Sequence, residues 1–274
     1  MYKDPIFAAS HTQGAPNPAL LELGFRFGDK GTHTSRTIML SELSSLLGHC
    51  APKSSRADYM RALVDENCLG KHTLSTRRLT LQRMSELYAL DPTIPIFRLL
   101  RFFWAADEKA HAQLALLASL ARDPLLRATA PVISSMMPGE ELARQKFTDV
   151  IKQAVEGRLN DNILDKVVRN TASSWTQSGH LEGRSRKKRI TVRPTPASAA
   201  FAFLLSYMLG QRARDLFNTI FARVLDRDSE SLIFLAMDAN RLGFLNIKHA
   251  GGVIVISFDE ILNDQEKRLL YGKT

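Results

Sequence analysis

Residues 97–137 read FRLLRFFWAADEKAHAQLALLASLARDPLLRATAPVISSMM and show the helical pattern of this chain most clearly. Its apolar residues form blocks of helical length, which Asp123-Pro124 interrupts. Similar blocks follow over residues 141–155 and 162–181. Amphipathic blocks separated by Pro or Gly are typical of packed helices. The sequence therefore predicts a mainly α protein with a helical bundle over residues 93–183.

On the N-terminal side, residues 34–92 predict three shorter amphipathic helices. The third, TRRLTLQRMSELYAL at residues 76–90, follows Ser75, which is a suitable N-cap. Three helices in this order, the last one basic, are typical of a helix-turn-helix, although any small bundle shows the same pattern. A helix start with nearby cations suits phosphate, so the predicted contacts are Lys71, Arg77, Arg78 and Arg83.

The basic run lies downstream, where residues 184–193 read RSRKKRITVR and contain six Lys or Arg and no acid. Ordered elements on both sides should hold these charges on a folded surface, and ITV favours a β-hairpin arm or wing over residues 184–196. A solvated loop without a partner is the alternative. The predicted DNA contacts are Arg184, Arg186, Lys187, Lys188, Arg189 and Arg193. Alanine at positions 186–189 is expected to weaken DNA binding and leave the fold intact.

Residues 197–274 predict further helices, over about 198–209, 213–225 and 229–243, and a β-hairpin. The hairpin pairs strands at Phe244–Ile247 and Val253–Phe258 around a Gly-rich turn. Helices followed by a hairpin are typical of a winged helix, in which Arg241, Lys248 and His249 would lie where the wing meets phosphate. The alternative is a hairpin that only covers the bundle. The uncharged stretch 194–211 is too short to span a bilayer comfortably and predicts a buried helix.

Residues 1–33 have no sustained periodicity and predict an irregular arm, and no secretory signal is evident, which favours the cytoplasm. The 274 residues carry 37 Lys and Arg against 28 Asp and Glu, a net charge of +9. This balance favours an acidic partner: DNA, RNA or anionic lipid. Cys50 and Cys68 show no metal-ligand spacing and predict reduced thiols.

The sequence predicts no catalysis, cofactor or metal. It lacks a phosphate loop, a nucleophile elbow and a zinc helix. Glu108 and His111 share the Glu-x-x-His spacing, but one pair does not close a metal site. Trp104 and Trp175 stand in apolar helices and predict core positions. Metal-dependent nuclease chemistry stays an alternative that would use scattered acids, namely Asp161, Asp165, Asp226 and Asp228; Asp226 and Asp228 more simply cap a helix.

Residues 56–92 read RADYMRALVDENCLGKHTLSTRRLTLQRMSELYALDP and precede SSWTQSGHL and the basic ITVRPTP segment. This order resembles the BrxA proteins of bacterial BREX phage-exclusion loci over about residues 36–260. A recurrent motif of that family is an acidic residue followed by Asn, a hinge, and a Ser or Thr before an Arg-bearing helix. The matching residues here are Glu66, Asn67, Ser75, Thr76 and Arg77. The resemblance implies a NusB-like helical core with helix-turn-helix-like parts. It also implies a DNA-binding accessory protein without catalytic residues, acting beside a methyltransferase and large ATPases.

Two alternatives to duplex DNA binding remain open. A NusB-like core resembles an RNA-binding scaffold, and net charge does not distinguish the two polymers. A protein adaptor would instead scaffold the defence complex through its helical faces, insensitive to loss of the basic residues.

Overall fold

A computed structural model describes residue 6 and residues 17–272, except for the side chain of Ala250. The described chain is mainly helical, as predicted, with two small antiparallel strand pairs. The helices are α1 (Pro18–Leu23), α2 (Leu40–His49), α3 (Arg56–Val64), α4 (Leu74–Tyr88), α5 (Pro95–Ala106), α6 (His111–Arg122), α7 (Pro124–Ser135), α8 (Arg144–Ala154), α9 (Asp161–Gln177), α10 (Pro196–Met208), α11 (Ile220–Arg223), α12 (Ser229–Arg241) and α13 (Asp264–Tyr271). The strands are β1 (Leu181–Glu182), β2 (Lys188–Arg189), β3 (Asn246–Ala250) and β4 (Val253–Ser257).

Helices α6 and α10 lie at the centre of the core. Every residue of α6 from Gln113 to Arg122 is buried, and so is every residue of α10 from Ala197 to Met208. A helix that is apolar on all sides must be covered on all sides, which explains the uncharged stretch. The predicted buried helix is therefore confirmed. Within residues 17–272, no helix combines the length and apolar character needed to cross a bilayer.

The predicted units share one core. Buried apolar residues from α2 to α4, from the middle helices and from α10 to the C-terminal hairpin belong to a single hydrophobic cluster. Both tryptophans belong to it, Trp175 fully buried and Trp104 nearly so, as predicted. The boundaries predicted at residues 92 and 183 therefore do not separate independent cores.

The three predicted N-terminal helices are present as α2, α3 and α4. The Ser55 side chain caps α3, and its capping box with Asp58 is complete. The predicted cap of α4 is wrong, because Thr73 rather than Ser75 accepts the hydrogen bond from the Thr76 amide. Residues 65–73 connect α3 to α4 and form a longer connection than the roughly three to four residues of a helix-turn-helix turn.

The predicted irregular arm is partly ordered. Within it, α1 ends at a left-handed Gly24, and the following chain buries Phe25, Thr32 and His33. Ile6 is also buried. The rest of the predicted arm, residues 1–5 and 7–16, lies outside the described residues. Residues 17–33 are thus part of the packed body.

The C-terminal hairpin is confirmed, since β3 and β4 pair in antiparallel register with Lys248 opposite Val255. The helix expected over 213–225 is instead a 3-10 turn, Ala213–Asn218, followed by the short α11. Helix α13 was not predicted. It is tied to the bundle by Arg98, which donates two hydrogen bonds of 2.5 and 2.6 Å to the buried Glu266 carboxylate.

Candidate nucleic-acid interface

The basic run folds into a small hairpin, called here the basic hairpin, that comprises β1, β2 and the turn 183–187. Leu181 pairs with Arg189 and Glu182 with Lys188. The segment before α8 extends this pairing, because the Arg189 amide donates to the Glu140 carbonyl and the Leu142 amide to the Lys187 carbonyl. A hairpin is thus present, but the prediction of strand at residues 190–192 is wrong, because the strands lie at Leu181–Glu182 and Lys188–Arg189.

Arg189 anchors the base of the basic hairpin. Its side chain is only 4% exposed and forms an ion pair with Asp226. It also donates to the carbonyls of Ile133, His180 and Ile190. The predicted role of Arg189 in DNA contact is wrong, because a buried guanidinium with these partners does not reach a phosphate. Asp226 also accepts from the Val192 amide, so it fixes the chain that leaves the hairpin rather than capping a helix.

His180 stands directly before β1 and is fully buried. Its Nε2 lies 2.7 Å from the Val224 carbonyl and its Nδ1 lies 2.9 Å from the Ser178 hydroxyl. Burial lowers the pKa of His180 to about 4. The ring is therefore neutral at pH 7, with Nε2 donating to the carbonyl and Nδ1 accepting from Ser178. The hairpin base thus carries a second buried polar anchor.

The turn of the basic hairpin is fixed as well. Gly183 has φ of +98°, and a Cβ built there would lie 2.2 Å from the Arg186 carbonyl oxygen, so this turn requires glycine. The Lys187 ammonium donates to the Thr176 hydroxyl at 2.8 Å and to the Gly183 carbonyl at 3.2 Å. Partial burial lowers the pKa of Lys187. Lys187 points back to α9 and is not available to phosphate in this conformation.

The remaining cations of the run are solvent-exposed: Arg184, Arg186, Lys188 and Arg193. Among the described residues, none of the four forms an ion pair within 4.0 Å. Arg184 and Arg186 lie in the turn, and Lys188 faces Glu182 and Glu141 across the strands. The structure therefore presents a small set of free cations on an anchored support.

The cations of the N-terminal unit have local partners. Lys71 pairs with Glu42 at 3.2 Å. Arg77 donates to the carbonyls of Lys71 and Val64, and Arg83 holds Glu86 with two bonds of 2.9 and 3.1 Å. Of the four predicted contacts, Arg78 alone is exposed and shows no such partner among the described residues. Lys71 and Arg77 thus link α4 and the turn before it to α2 and α3, and Arg83 pairs within α4, while DNA contact by these three residues stays a prediction.

The cations placed on the C-terminal hairpin are exposed. Lys248 and His249 are solvent-exposed residues of β3, and Arg241 pairs with Asp238 at 2.7 Å on the surface of α12. The basic hairpin packs on α9 and β3 on α12, so these two sets of charges lie on different elements. The contact with phosphate predicted for this second hairpin stays a prediction.

Sequence reasoning missed a buried polar group of three residues far apart in the chain. His33 Nε2 lies 2.8 Å from the Ser174 hydroxyl, and His33 Nδ1 lies 2.9 Å from Asp123 Oδ2. The three residues are at most 1% exposed. Ser174 also donates to the Asn170 carbonyl and accepts from the Ile38 amide, so the helix backbone occupies the hydroxyl. This group resembles a Ser-His-Asp triad but ties the N-terminal segment to α7 and α9.

Asp123 also caps α7 through the Leu125 and Leu126 amides. Burial alone would raise the pKa of Asp123, but nearby His33 and these N–H donors lower it instead. No spacing in the sequence signals such a contact, because its members lie at positions 33, 123 and 174.

The acids considered for metal binding are dispersed. Asp165 pairs with Arg144 and Arg169, Asp226 with Arg189, and Asp228 caps α12. Asp161 is exposed at the start of α9. In the part of the chain that the structure describes, no three His, Cys, Asp or Glu side chains converge as metal ligands would. His111 stacks on Trp104 and contacts its carbonyl at 2.8 Å, and the two cysteines are free thiols.

Comparison with known proteins adds no relative. No protein-family model matches the chain, and no curated protein is significantly similar to it.

Proposed function

We propose that this protein binds duplex DNA through the basic hairpin, mainly by phosphate contacts and without catalysis. One observation carries the proposal: the base of the hairpin is buried and bonded, while Arg184, Arg186 and Lys188 are exposed and free of ion pairs among the described residues. Such cations release counterions when they meet a phosphate backbone. A fixed support also reduces the entropy lost on binding.

In this proposal the protein is a cytoplasmic accessory component of a bacterial phage-defence system, beside a methyltransferase and ATPases. The resemblance of residues 36–260 to the BrxA proteins supports this part. The helix-turn-helix, winged-helix and NusB-like assignments belong to the same proposal. The net charge of +9 supports an acidic partner in general.

The test is a titration of fluorescent duplex DNA, and of RNA of the same sequence, across a salt series. The variant R184Q/R186Q/K188Q should bind more weakly, with the slope of log K against log salt reduced by about 2 to 3. The control K53Q/K109Q/R268Q removes the same charge from exposed residues elsewhere and should bind like the wild type. Equal losses in both variants would contradict the proposal, and so would an absence of binding at low salt. Tighter binding of RNA than of DNA would mean that the nucleic acid bound by this protein is RNA.

A protein adaptor is the second candidate function, and exposed apolar residues favour it. Phe234 and Leu242 of the α12 region are 66% and 59% exposed, and Val253 and Val255 on β4 are 63% and 54% exposed. Val253 and Val255 are two residues apart on β4 and share one face of the strand, and contiguous exposed apolar surface marks protein contacts. This function predicts a complex with another defence protein that F234S/V255S disrupts and R184Q/R186Q/K188Q does not. Co-purification of both variants with the defence components tests it.

A further inference from the structure

A cavity of about 450 Å³ opens between α3, α4 and the segment after α1. This volume is within the range of small-molecule sites. Its lining includes the apolar residues Met60, Leu81 and Leu90 and the charged residues Arg26, Arg56, Arg122 and Glu86. An apolar surface beside several cations suits a ligand that has both an apolar part and an anionic group.

Two of these arginines are fixed by the last turn of α4. Arg122 is 8% exposed and donates to the carbonyls of Ser85 and Glu86 at 3.2 Å, and Arg26 donates to the same Glu86 carbonyl at 3.1 Å. Neither forms an ion pair among the described residues. Burial, and next the charge of Arg26, lower the pKa of Arg122 to about 9. Two cations thus share one site with carbonyls as their partners.

The acids near the cavity leave this charge largely uncompensated. The Glu86 carboxylate is already held by Arg83 at 2.9 Å and by the Thr32 hydroxyl at 2.8 Å. Arg56 is 79% exposed and forms an ion pair with Asp91 at 3.7 Å, a separation too long for a hydrogen bond. Arg122, in contrast, is withdrawn from water with no acidic partner among the described residues, and such a cation favours a bound anion. The N–H groups of Arg56 can donate to an oxyanion, because the pair with Asp91 includes no hydrogen bond.

We propose that this cavity binds a small molecule with a phosphate or carboxylate group on an apolar body. The oxyanion meets Arg56 and Arg26, and the apolar body packs on Met60, Leu81 and Leu90. Guanidinium forks fit both oxyanions. The site is formed by other elements than the basic hairpin and does not depend on DNA binding.

Calorimetric titration at low salt with phenyl phosphate and benzoate tests the proposal, with phenol and inorganic phosphate as probes of each half. We expect at least one of the two complete probes to bind about tenfold more tightly than phenol or phosphate. Binding of one complete probe alone identifies the oxyanion. No binding of either complete probe overturns the proposal, and so does equal binding of inorganic phosphate.

Variants locate the site. R56Q changes an exposed side chain and should weaken the complete probe about tenfold with an unchanged melting temperature. M60A should weaken the binding of phenyl phosphate or benzoate and leave any weak binding of inorganic phosphate unchanged. R78Q, an exposed arginine on α4 away from the cavity lining, is the matched control and should bind like the wild type. Wild-type affinity in both R56Q and M60A would overturn the assignment.

Discussion

The basic hairpin and helix α4 are both rich in Arg, but the structure uses their charges differently. In α4 and the turn before it, Lys71 pairs with Glu42, Arg77 donates to backbone carbonyls, and Arg83 pairs with Glu86. In the basic hairpin, Arg189 and Lys187 are engaged within the protein, whereas Arg184, Arg186 and Lys188 are exposed. The first region uses most of its cations for folding, and the second presents three of its cations to solvent.

Geometry explains this difference. Residues three apart on a helix are neighbours, so Arg83 meets Glu86 within its own helix. In the basic hairpin, Arg184 and Arg186 lie in the turn beyond the strands, where no described acid reaches them, and Lys188 lies between Glu182 and Glu141 without an ion pair within 4.0 Å. A count of basic residues along a sequence is therefore a poor guide to available charge. What matters is whether the local fold brings an acid or a carbonyl within reach.

The largest expected effect comes from breaking the anchor of the basic hairpin. D226A leaves the buried Arg189 without its counter-charge and should lower the free energy of unfolding by about 3–5 kcal/mol. Urea unfolding measures it. D228A, which removes an exposed helix cap two residues away, is the control and should cost clearly less than D226A. Similar costs for the two variants would show that Arg189 does not depend on Asp226.

The next largest effect is a pH dependence of the free energy of unfolding, caused by His180 at the base of the basic hairpin. The pKa of His180 is about 4, below the value of about 6.5 in an unfolded chain, so the unfolded state takes up the proton first. The neutral His180 ring therefore contributes roughly 3 kcal/mol to the free energy of unfolding above pH 6.5, and this contribution is lost as the pH falls toward 4. Urea unfolding at several pH values should show this loss.

H180Q should flatten that pH dependence, and H72Q, a change at an exposed histidine, should keep the wild-type slope. An equal slope in H180Q and the wild type would rule out His180 as its source. Asp123 does not confuse the result, because its lowered pKa places its own loss of stability at more acidic pH.

A smaller effect separates the arginines of α4. R77Q removes the donor to the Val64 and Lys71 carbonyls and should cost about 1–2 kcal/mol, whereas R78Q should cost less than about 0.5 kcal/mol. Thermal unfolding of the two variants, which lose the same charge at adjacent positions, measures the difference. Equal costs would mean that Arg77, like Arg78, is a surface cation.

The sequence predicted more of the fold than of the site. Helical periodicity identified α2 to α10 and α12, and the Gly-rich turn identified β3 and β4, because these signals are local. The role of Arg189 depends on Asp226, and that of Arg122 on carbonyls at positions 24, 85 and 86. These partners are brought together by tertiary packing, which no local pattern encodes. The start of α4 shows the same limit, since Thr73 and Ser75 both suit a cap by residue type, and Thr73 is the residue that caps the helix.

The smallest effect compares the two regions one charge at a time. R186Q removes a free cation and should reduce the salt slope of DNA binding by about 0.9, with a change in stability below about 0.5 kcal/mol. R83Q removes a cation engaged with Glu86 and should leave the slope unchanged, since no counterion is released there. Fluorescence titrations of the two variants over the same salt range measure both slopes. A reduced slope in R83Q alone would move the DNA contact to α4, because it would mean that DNA displaces Glu86 from Arg83.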